Sequence, residues 1–370
     1  VAIVEAGVVL MALHEAAAVH DLIFPLNFAA RGSAMIGGNL ATNAGGSNVL
    51  RYGSIRDLCL GLEVVLPNGT VMDLMSELHK DNSGYDLKQL MIGAEGTLGI
   101  ITAAVVKLAP KPSASACAMV AVPNLSDALT LLNRLQTATG GLVEAFEYMP
   151  RRYLDAFATK YPNKRPPFEQ SYEVNLLVEL ATITPRDSNP EVDGSIPLVA
   201  QLETTLEELF AEGVILDAVV AKNQAQRNAN WERREASADL SLVRHPVIIS
   251  DIAVPLDQVA NFLERVDDFL PQLDAGAETL AVSHLGDGNV HYTIWPSSQD
   301  PRTHSEITEK IEDIVLSLGG SFSAEHGIGK SKLPSMQRHK NQAALVTMRA
   351  IKRALDPNNI LNPGKVIPQP

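Results

Sequence analysis

The densest run of chemically capable side chains is Ser283-His284-Leu285-Gly286-Asp287-Gly288-Asn289-Val290-His291. Asp-Gly between the strand-prone flanks Thr279 to Val282 and Tyr292 to Trp295 signals a two-residue type I′ hairpin turn. With Asp287 and Gly288 as that loop, Gly286 opposes Asn289, Leu285 opposes Val290 and His284 opposes His291. Directly opposed side chains share a face with Cβ atoms about 4.5–5.5 Å apart, a separation at which two imidazoles can hold one metal ion. The bland alternative is a pair of surface histidines beside a turn. A third donor is on offer in Ser321-Phe322-Ser323-Ala324-Glu325-His326-Gly327-Ile328-Gly329, where Glu325 carries a carboxylate between glycines that let the backbone approach another group. Two histidines and one carboxylate leave coordination positions open, as catalytic metal sites do and closed structural sites do not. His326 reads equally as a functional group and as a core or supporting one. His14, His20, His79, His245, His304 and His339 have no such company and read as structural.

A second chemical signal lies between Gly32 and Gly53, a segment with no helical period and few bulky side chains. Glycine leaves amides unshielded, so this backbone can approach a polar ligand closely, and Asn39, Thr42 and Asn43 add short donors and acceptors. A solvated surface loop is the competing reading, but it would not carry Met35, Ile36, Leu40, Val49 and Leu50. The elements around the segment are strand-like Leu60 to Leu66 and Thr70 to Leu74, joined through Pro67-Asn68-Gly69. Upstream, Val1 to Val4 reads as a buried strand and Leu10 to His20 as a short helix with Leu10, Leu13, Ala17 and Leu22 on one stripe. The opening does not read as a targeting peptide, and partner strands for it are expected further upstream.

Pro110-Lys111-Pro112-Ser113 marks a domain boundary, because paired prolines suit a semi-rigid linker. Beyond it, strand-like Ala116 to Val122, helical Ser126 to Thr137 and strand-like Gly141 to Tyr148 are followed by a repeat of the pattern from Glu173 through a helix over Leu198 to Glu212. This alternation predicts an α+β domain with helices on one face of a sheet, in the ferredoxin-like manner. Arg151 to Tyr172 and Thr184 to Ser195 are polar and contain proline, and read as connecting loops.

Bulk properties set limits. A length of 370 residues favours two domains, and 46% hydrophobic with 20% charged residues describes a soluble globular chain. No apolar run reaches the roughly 18 residues of a membrane span. A formal charge of −13 repels phosphate backbones and argues against nucleic acid as a partner. Cys59 and Cys117 are too few for a disulfide framework or a thiolate metal site, which fits a reducing, cytoplasmic setting. Gly93-x-x-Gly96-x-x-Gly99 is not the dinucleotide fingerprint, and Ala324 stands where a phosphate-binding P-loop requires its first glycine.

Gly32 to Gly53, Gly61 to Thr70, Gly84-Tyr85-Asp86-Leu87-Lys88 and Ile92 to Thr102 together resemble the vanillyl-alcohol-oxidase (PCMH-type) FAD-binding family, and the whole chain is similar to the D-2-hydroxyglutarate and D-lactate dehydrogenases of the FAD-linked oxidase type. The resemblance implies a partial FAD-binding domain over 1–110, whose first pyrophosphate loop lies upstream of Val1, and a substrate and metal domain over 114–370. Its C-terminal segment is helical, and residues 356–370 return to the flavin. The FAD-contacting positions it implies are Pro25, Gly32, Ser33, Ile36, Gly37, Gly38, Asn39, Thr42, Asn43, Ala44, Gly46, Tyr52, Gly53, Glu95, Gly96, Gly99, Ile100, Ile101 and Asn362. It assigns His284, His291 and Glu325 to Zn2+ or another divalent ion such as Mn2+, and the base to His326. Arg234, in Trp231-Glu232-Arg233-Arg234-Glu235, matches the family's Trp-x-x-Arg-Glu and becomes the expected carboxylate anchor, against a solvated helix face as the bland reading.

The activity implied is oxidation of a D-2-hydroxy acid to the 2-oxo acid, with electrons passing to an electron-transfer flavoprotein or quinone. The resemblance is compatible with a homodimer and with peripheral attachment at an inner membrane. Three positions depart from these relatives. Ile249 replaces a lysine, Ala238 a threonine and Thr293 an asparagine, which puts a distal substrate carboxylate in doubt. A zinc-dependent hydrolase and a non-catalytic remnant without flavin are the alternative readings.

Overall fold

The computed structural model describes residues 1–369. The apolar opening forms β1 (Ala2–Glu5), antiparallel to β5 (Ile100–Val106), with Ala2 facing Val106 and Glu5 facing Ala103. Burial alternates along β1: among the described residues Ala2 and Val4 pack on the core while Ile3 is 65% exposed. β2 (Leu22–Ile23) pairs with β6 (Ala109–Pro110), and β3 (Cys59–Val65) forms a hairpin with β4 (Val71–Leu74) through Pro67-Asn68-Gly69, giving a sheet in the order β1-β5-β3-β4. Gly69 supplies the positive φ the turn needs, at +83°, and its N–H donates to Leu66 O.

The glycine-rich segment is not wholly irregular: Ile36–Thr42 is a helix, and Val49–Tyr52 and Ile55–Leu58 are single helical turns. Ile36 and Leu40, one turn apart, are fully buried with Leu10, Leu13, Phe24, Ile55, Leu62 and Val64, so hydrophobic anchoring two or three residues at a time outweighs the helix-weakening Gly37 and Gly38. This first unit comprises Val1–Lys111 and the chain from Glu325 onward, a longer return than residues 356–370.

The second unit, Pro112–Ala324, is built on seven antiparallel strands: β7 (Ala114–Val122), β8 (Val143–Pro150), β9 (Val174–Thr182), β10 (Asp217–Val220), β11 (Ile248–Ala253), β12 (Glu278–His284) and β13 (Asn289–Trp295). Their order is β10-β7-β9-β8-β12-β13-β11. Helices cover both faces, not one. Leu125–Thr139, Pro197–Ala211, Val259–Leu273 and Pro301–Ser317 take one side, where Phe262 meets Tyr292 edge to face at 5.8 Å. Arg151–Lys160, Gln224–Glu235 and Ser237–Ser241 take the other, where Tyr153, Phe157 and Leu240 pack on Met119, Met149, Leu177, Leu280 and Val282. Arg151–Lys160 is thus a helix where a loop was expected, held by Tyr153 and Phe157 at i, i+4 spacing. The apolar run over residues 116–122 of β7, and the apolar residues 176–178 and 180–181 on either side of Glu179 in β9, are what two covered faces require.

Candidate functional site

The second face of the seven-stranded sheet carries a row of ionisable side chains inside an otherwise apolar surface. It begins at the hairpin. His284 pairs with Asn289 and His291 with Val282, so the loop is the four residues Leu285 to Gly288 and the direct His284–His291 opposition is corrected to a diagonal one. Fully buried Leu285 draws the loop inward, Gly286 N–H donates to Phe146 O on β8, and Asp287 Oδ1 accepts from Asn289 N–H. Gly288, at φ +80°, packs its bare Cα against Val254 O, where any Cβ would collide. Because side chains alternate with period two, a two-residue change of register keeps both histidines on one face. Their ring centroids are 5.3 Å apart, nearly perpendicular.

Each histidine has a buried carboxylate on Nδ1. Glu147, directly opposite His284 on β8, places Oε1 2.9 Å from its Nδ1, and Asp251, directly opposite His291 on β11, places Oδ1 3.4 Å from the other Nδ1. Both acids are 1% exposed. Asn289 donates to Asp251 Oδ1 and to Ile252 O, and its own Oδ1 is buried without a partner. A carboxylate on Nδ1 selects the tautomer whose Nε2 carries the lone pair, the usual support for a metal-ligating histidine. Burial lowers the pKa of His291, with the charge of Arg234 adding to it, and this outweighs the hydrogen bond to Asp251, so the ring is held neutral as a ligand must be.

Arg234 completes the row from above. Arg227, Trp231 and Arg234 fall at i, i+4 and i+7 on the helix Gln224–Glu235 and face the sheet. Arg227 and Trp231 Nε1 bind Glu179, and Arg234 Nε donates to Glu147 Oε2 at 2.6 Å while its Nη2 lies 3.3 Å from the His284 ring nitrogens. Arg234 is 5% exposed, which rules out the solvated-face reading. Its Nε is committed to Glu147, so the guanidinium is not a vacant fork. Burial alone would raise the pKa of Glu147; electrostatic attraction to and hydrogen bonds from the His284 ring and the Arg234 guanidinium reverse this and hold it below the ordinary glutamate value.

Glu147 and Asp251 were not singled out as site residues by sequence reasoning, although Asp251 is the lone acid of its strand and Glu147 one of two acids in a mostly apolar one, and a buried charge must have a partner there. Ile249 stands directly opposite Thr293, on the same face as Asp251, and is 45% exposed; the Thr293 hydroxyl is 2.8 Å from Ser241 Oγ. Ala238 is exposed.

Glu325 and His326 belong to the first unit. There the Glu325 carboxylate lies over Gly45, where a Cβ would strike it, and His326 is exposed rather than in a core. Several of the expected flavin-contacting positions have structural work in this unit. Ile36 and Pro25 are buried, Gly37 and Gly99 pack on Ala6 and Val64, Gly46 and Gly53 sit against Asn27 O and Asp57, and Asn43 Oδ1 accepts from Ser54 Oγ and Arg56 N. Ala44 N–H closes the Ile36–Thr42 helix on Asn39 O, the Thr42 and Ser33 hydroxyls bond back to Gly38 O and Ala30 O, Tyr52 stacks under Arg51, and Ile101 packs on the core. Glu95 accepts from the amides of Ile328 and Gly329, and Asn362 donates to Glu95 O.

Other positions stay open to a ligand. Gly32, Gly38 and Gly96 face open space, Ile100 is exposed, and Asn39 Nδ2 is a buried donor with no acceptor, which fits a polar ligand group in this region.

Residues 111–366 match the family of FAD linked oxidases, C-terminal domain, and residues 1–75 match the FAD binding domain family. The D-2-hydroxyglutarate dehydrogenases of Bos taurus and Arabidopsis thaliana, both mitochondrial by name, are 35% and 33% identical over 369 and 368 residues, covering 100% of this chain and 65% and 64% of theirs. The D-2-hydroxyglutarate dehydrogenase of Xanthomonas citri is 32% identical over 368 residues, 98% of this chain and 75% of its own. The chain thus spans just under two thirds of the first two. Among solved structures, an alkyldihydroxyacetonephosphate synthase superposes with a TM-score of 0.66 at 18% identity over 98% of this chain and 63% of its own, which concerns the fold alone. Among the described residues no helix is long and apolar enough to cross a membrane. With more than half of its length matching one family and its glycine-rich start matching the companion domain, the chain belongs to the FAD linked oxidases.

Proposed function

We propose that the chain is the flavin-proximal and substrate-binding portion of an FAD-dependent dehydrogenase that oxidises a D-2-hydroxy acid to the 2-oxo acid with the help of a divalent metal, Zn2+ or Mn2+. The observation that carries this reading is the pair of carboxylate-backed histidines beside a buried arginine. Glu147 orients His284, Asp251 orients His291, and Arg234 adds a cation that an anionic substrate can meet.

In this reading His284 and His291 offer Nε2 to the metal and Glu325 adds the third ligand, the last being a proposal from sequence. When bound, FAD would supply the hydride acceptor for the substrate Cα, and the metal a Lewis acid for the α-hydroxyl. Arg234 binds the substrate carboxylate through its Nη1 side, and His326 takes the hydroxyl proton. The ring of buried groups excludes water from Glu147, which keeps the Arg234 charge fixed in place.

The test is anaerobic mixing of the complete protein with a panel of D- and L-2-hydroxy acids while flavin absorbance is followed. Bleaching by a D-acid, dependent on bound metal and lost in Arg234→Met, is expected. Flavin left oxidised by every acid of the panel would overturn the assignment.

A further inference from the structure

On the helix Gln224–Glu235 the sheet-facing side chains Arg227, Trp231 and Arg234 all end on buried carboxylates, but Arg233 does not. It is 6% exposed, and its guanidinium donates only to neutral oxygens: Ala229 O at 3.1 Å, Asn230 Oδ1 at 2.8 Å and Arg165 O. Among the described residues no carboxylate forms an ion pair with it. Burying a cation without a carboxylate paired to it is costly even when part of its hydrogen bonding is met, and only the more distant charge of Glu232 offsets it. Burial pulls its pKa down, the mark of that penalty. Three of its five N–H groups are used, leaving Nε–H and one Nη2–H as donors for an anion.

That arginine lines a cavity of about 670 Å³ between the Arg165–Gln170 loop, β10 and the helix. Arg165 and Lys222 also line it, both exposed and neither in an ion pair. Its acids are Glu169 and Asp217, the latter already accepting from Tyr172 Oη and from Ala218 N–H. The wall is therefore net positive in a chain whose formal charge is −13. The volume exceeds what one inorganic anion fills and suits a small metabolite.

We propose that this cavity binds a small molecule bearing an oxyanion, a phosphate ester or a polycarboxylate, with Arg233 as the buried anchor and Arg165 and Lys222 at the mouth. It is separate from the histidine row, because Arg234, the next residue, leaves the helix toward Glu147.

Inorganic phosphate and citrate, titrated separately into the full chain at constant ionic strength, test this, with the arginine Nε–H resonances and the melting temperature as readouts. One of the two anions should shift the Arg233 Nε–H signal saturably and raise the melting temperature, the stronger identifying the group. Arg165→Ala and Lys222→Ala, both at exposed positions, should each weaken the apparent affinity by about threefold to tenfold, the scale of one charge-assisted contact, and Arg233→Met should abolish it. If Arg233→Met does not fold, the two exposed variants decide. An Arg233 signal unmoved by either anion, or identical titrations in wild type and the Arg165→Ala/Lys222→Ala double variant, overturns the site.

Discussion

Glu147 and His284 lie 137 residues apart in sequence, yet they are direct cross-strand partners, and the one carboxylate joins that histidine at 2.9 Å to Arg234 at 2.6 Å. A fully buried acid shared by two cationic or potentially cationic groups is a single electrostatic unit, so removing its charge affects both partners at once. Glu147→Gln preserves shape and leaves Arg234 a buried cation without compensation, which costs about 3–5 kcal/mol when one partner of a buried pair is removed. The same change leaves one acceptor oxygen for two donors, Arg234 Nε–H and His284 Nδ1–H, so the charged support of the His284 tautomer is lost, and support of this kind is worth about 10–100-fold in metal affinity. We expect a lower urea midpoint together with weaker zinc retention on dialysis, and Glu147→Asp recovering part of both. Wild-type zinc retention in Glu147→Gln would show that His284 is not a ligand held by this carboxylate.

The histidines themselves separate the two halves of the proposed chemistry. His284→Ala or His291→Ala in the complete protein should remove bound metal and most turnover and leave the flavin spectrum unchanged, because both residues belong to the second unit and the FAD binding domain match covers residues 1–75 of the first. Metal analysis beside an absorbance spectrum decides it: full metal content in either variant excludes that histidine as a ligand.

A pH-dependent contribution sits at Asp274, beyond the C-terminus of the helix Val259–Leu273. Burial would raise its pKa, but the Ser297 hydroxyl and the amides of Ser297, Ser298 and Gly276 bind the ionised form and bring it below the ordinary aspartate value. A depressed folded-state pKa means stability that is present above the unfolded-state value near 3.8 and lost as pH falls through the folded-state value. Asp274→Asn should therefore destabilise the protein at pH 7 by about 1–3 kcal/mol, the cost of poorly satisfied buried donors. The gap between the two proteins should narrow below about pH 4. Urea midpoints at pH 7, 5 and 3.5 measure it, and a gap that stays constant across that series would exclude the ionised carboxylate as the cause.

Much of this could be read from residue order, for reasons specific to each element. Pro67-Asn68-Gly69 fixes its hairpin because its turn chemistry is local. The Asp287-Gly288 loop came out two residues longer than its dipeptide suggests. Burial of Leu285 and the approach to Val254 are tertiary facts, though the period of two let the shared face survive the error. The helix Arg151–Lys160 was obscured by its polar outer face, and its Tyr153 and Phe157 were the available signal. Glu147 was hidden by sequence distance from its partners. What could have exposed it is the cost of a charge in the strand Val-Glu-Ala-Phe-Glu-Tyr-Met-Pro, which no neighbour in sequence relieves.

Substrate choice turns on Ile249, which stands opposite Thr293 two residues from Asp251 and presents an exposed apolar side chain on the face of the histidine row. The D-2-hydroxyglutarate dehydrogenases this sequence resembles carry lysine, threonine and asparagine where Ile249, Ala238 and Thr293 stand. A second substrate carboxylate here would give up its hydration for an isoleucine, an alanine and a hydroxyl already 2.8 Å from Ser241 Oγ. Nearby arginines do not substitute: Arg244 is paired with Glu278 and stacked over Trp295, and Arg233 turns away toward Arg165 O. A hydrogen bond to a charged group is worth about 1.5–3 kcal/mol, so about tenfold or more in affinity is at stake. We therefore expect D-lactate or a longer monocarboxylic D-2-hydroxy acid to reach a kcat/KM at least comparable with that of D-2-hydroxyglutarate. Ile249→Lys should shift preference toward the diacid, mainly through KM, and both substrates should still require Arg234. A substrate panel on the complete protein and on Ile249→Lys decides the matter. Strong native preference for the diacid, unchanged by the added lysine, would mean that the distal carboxylate binds elsewhere than beside Ile249.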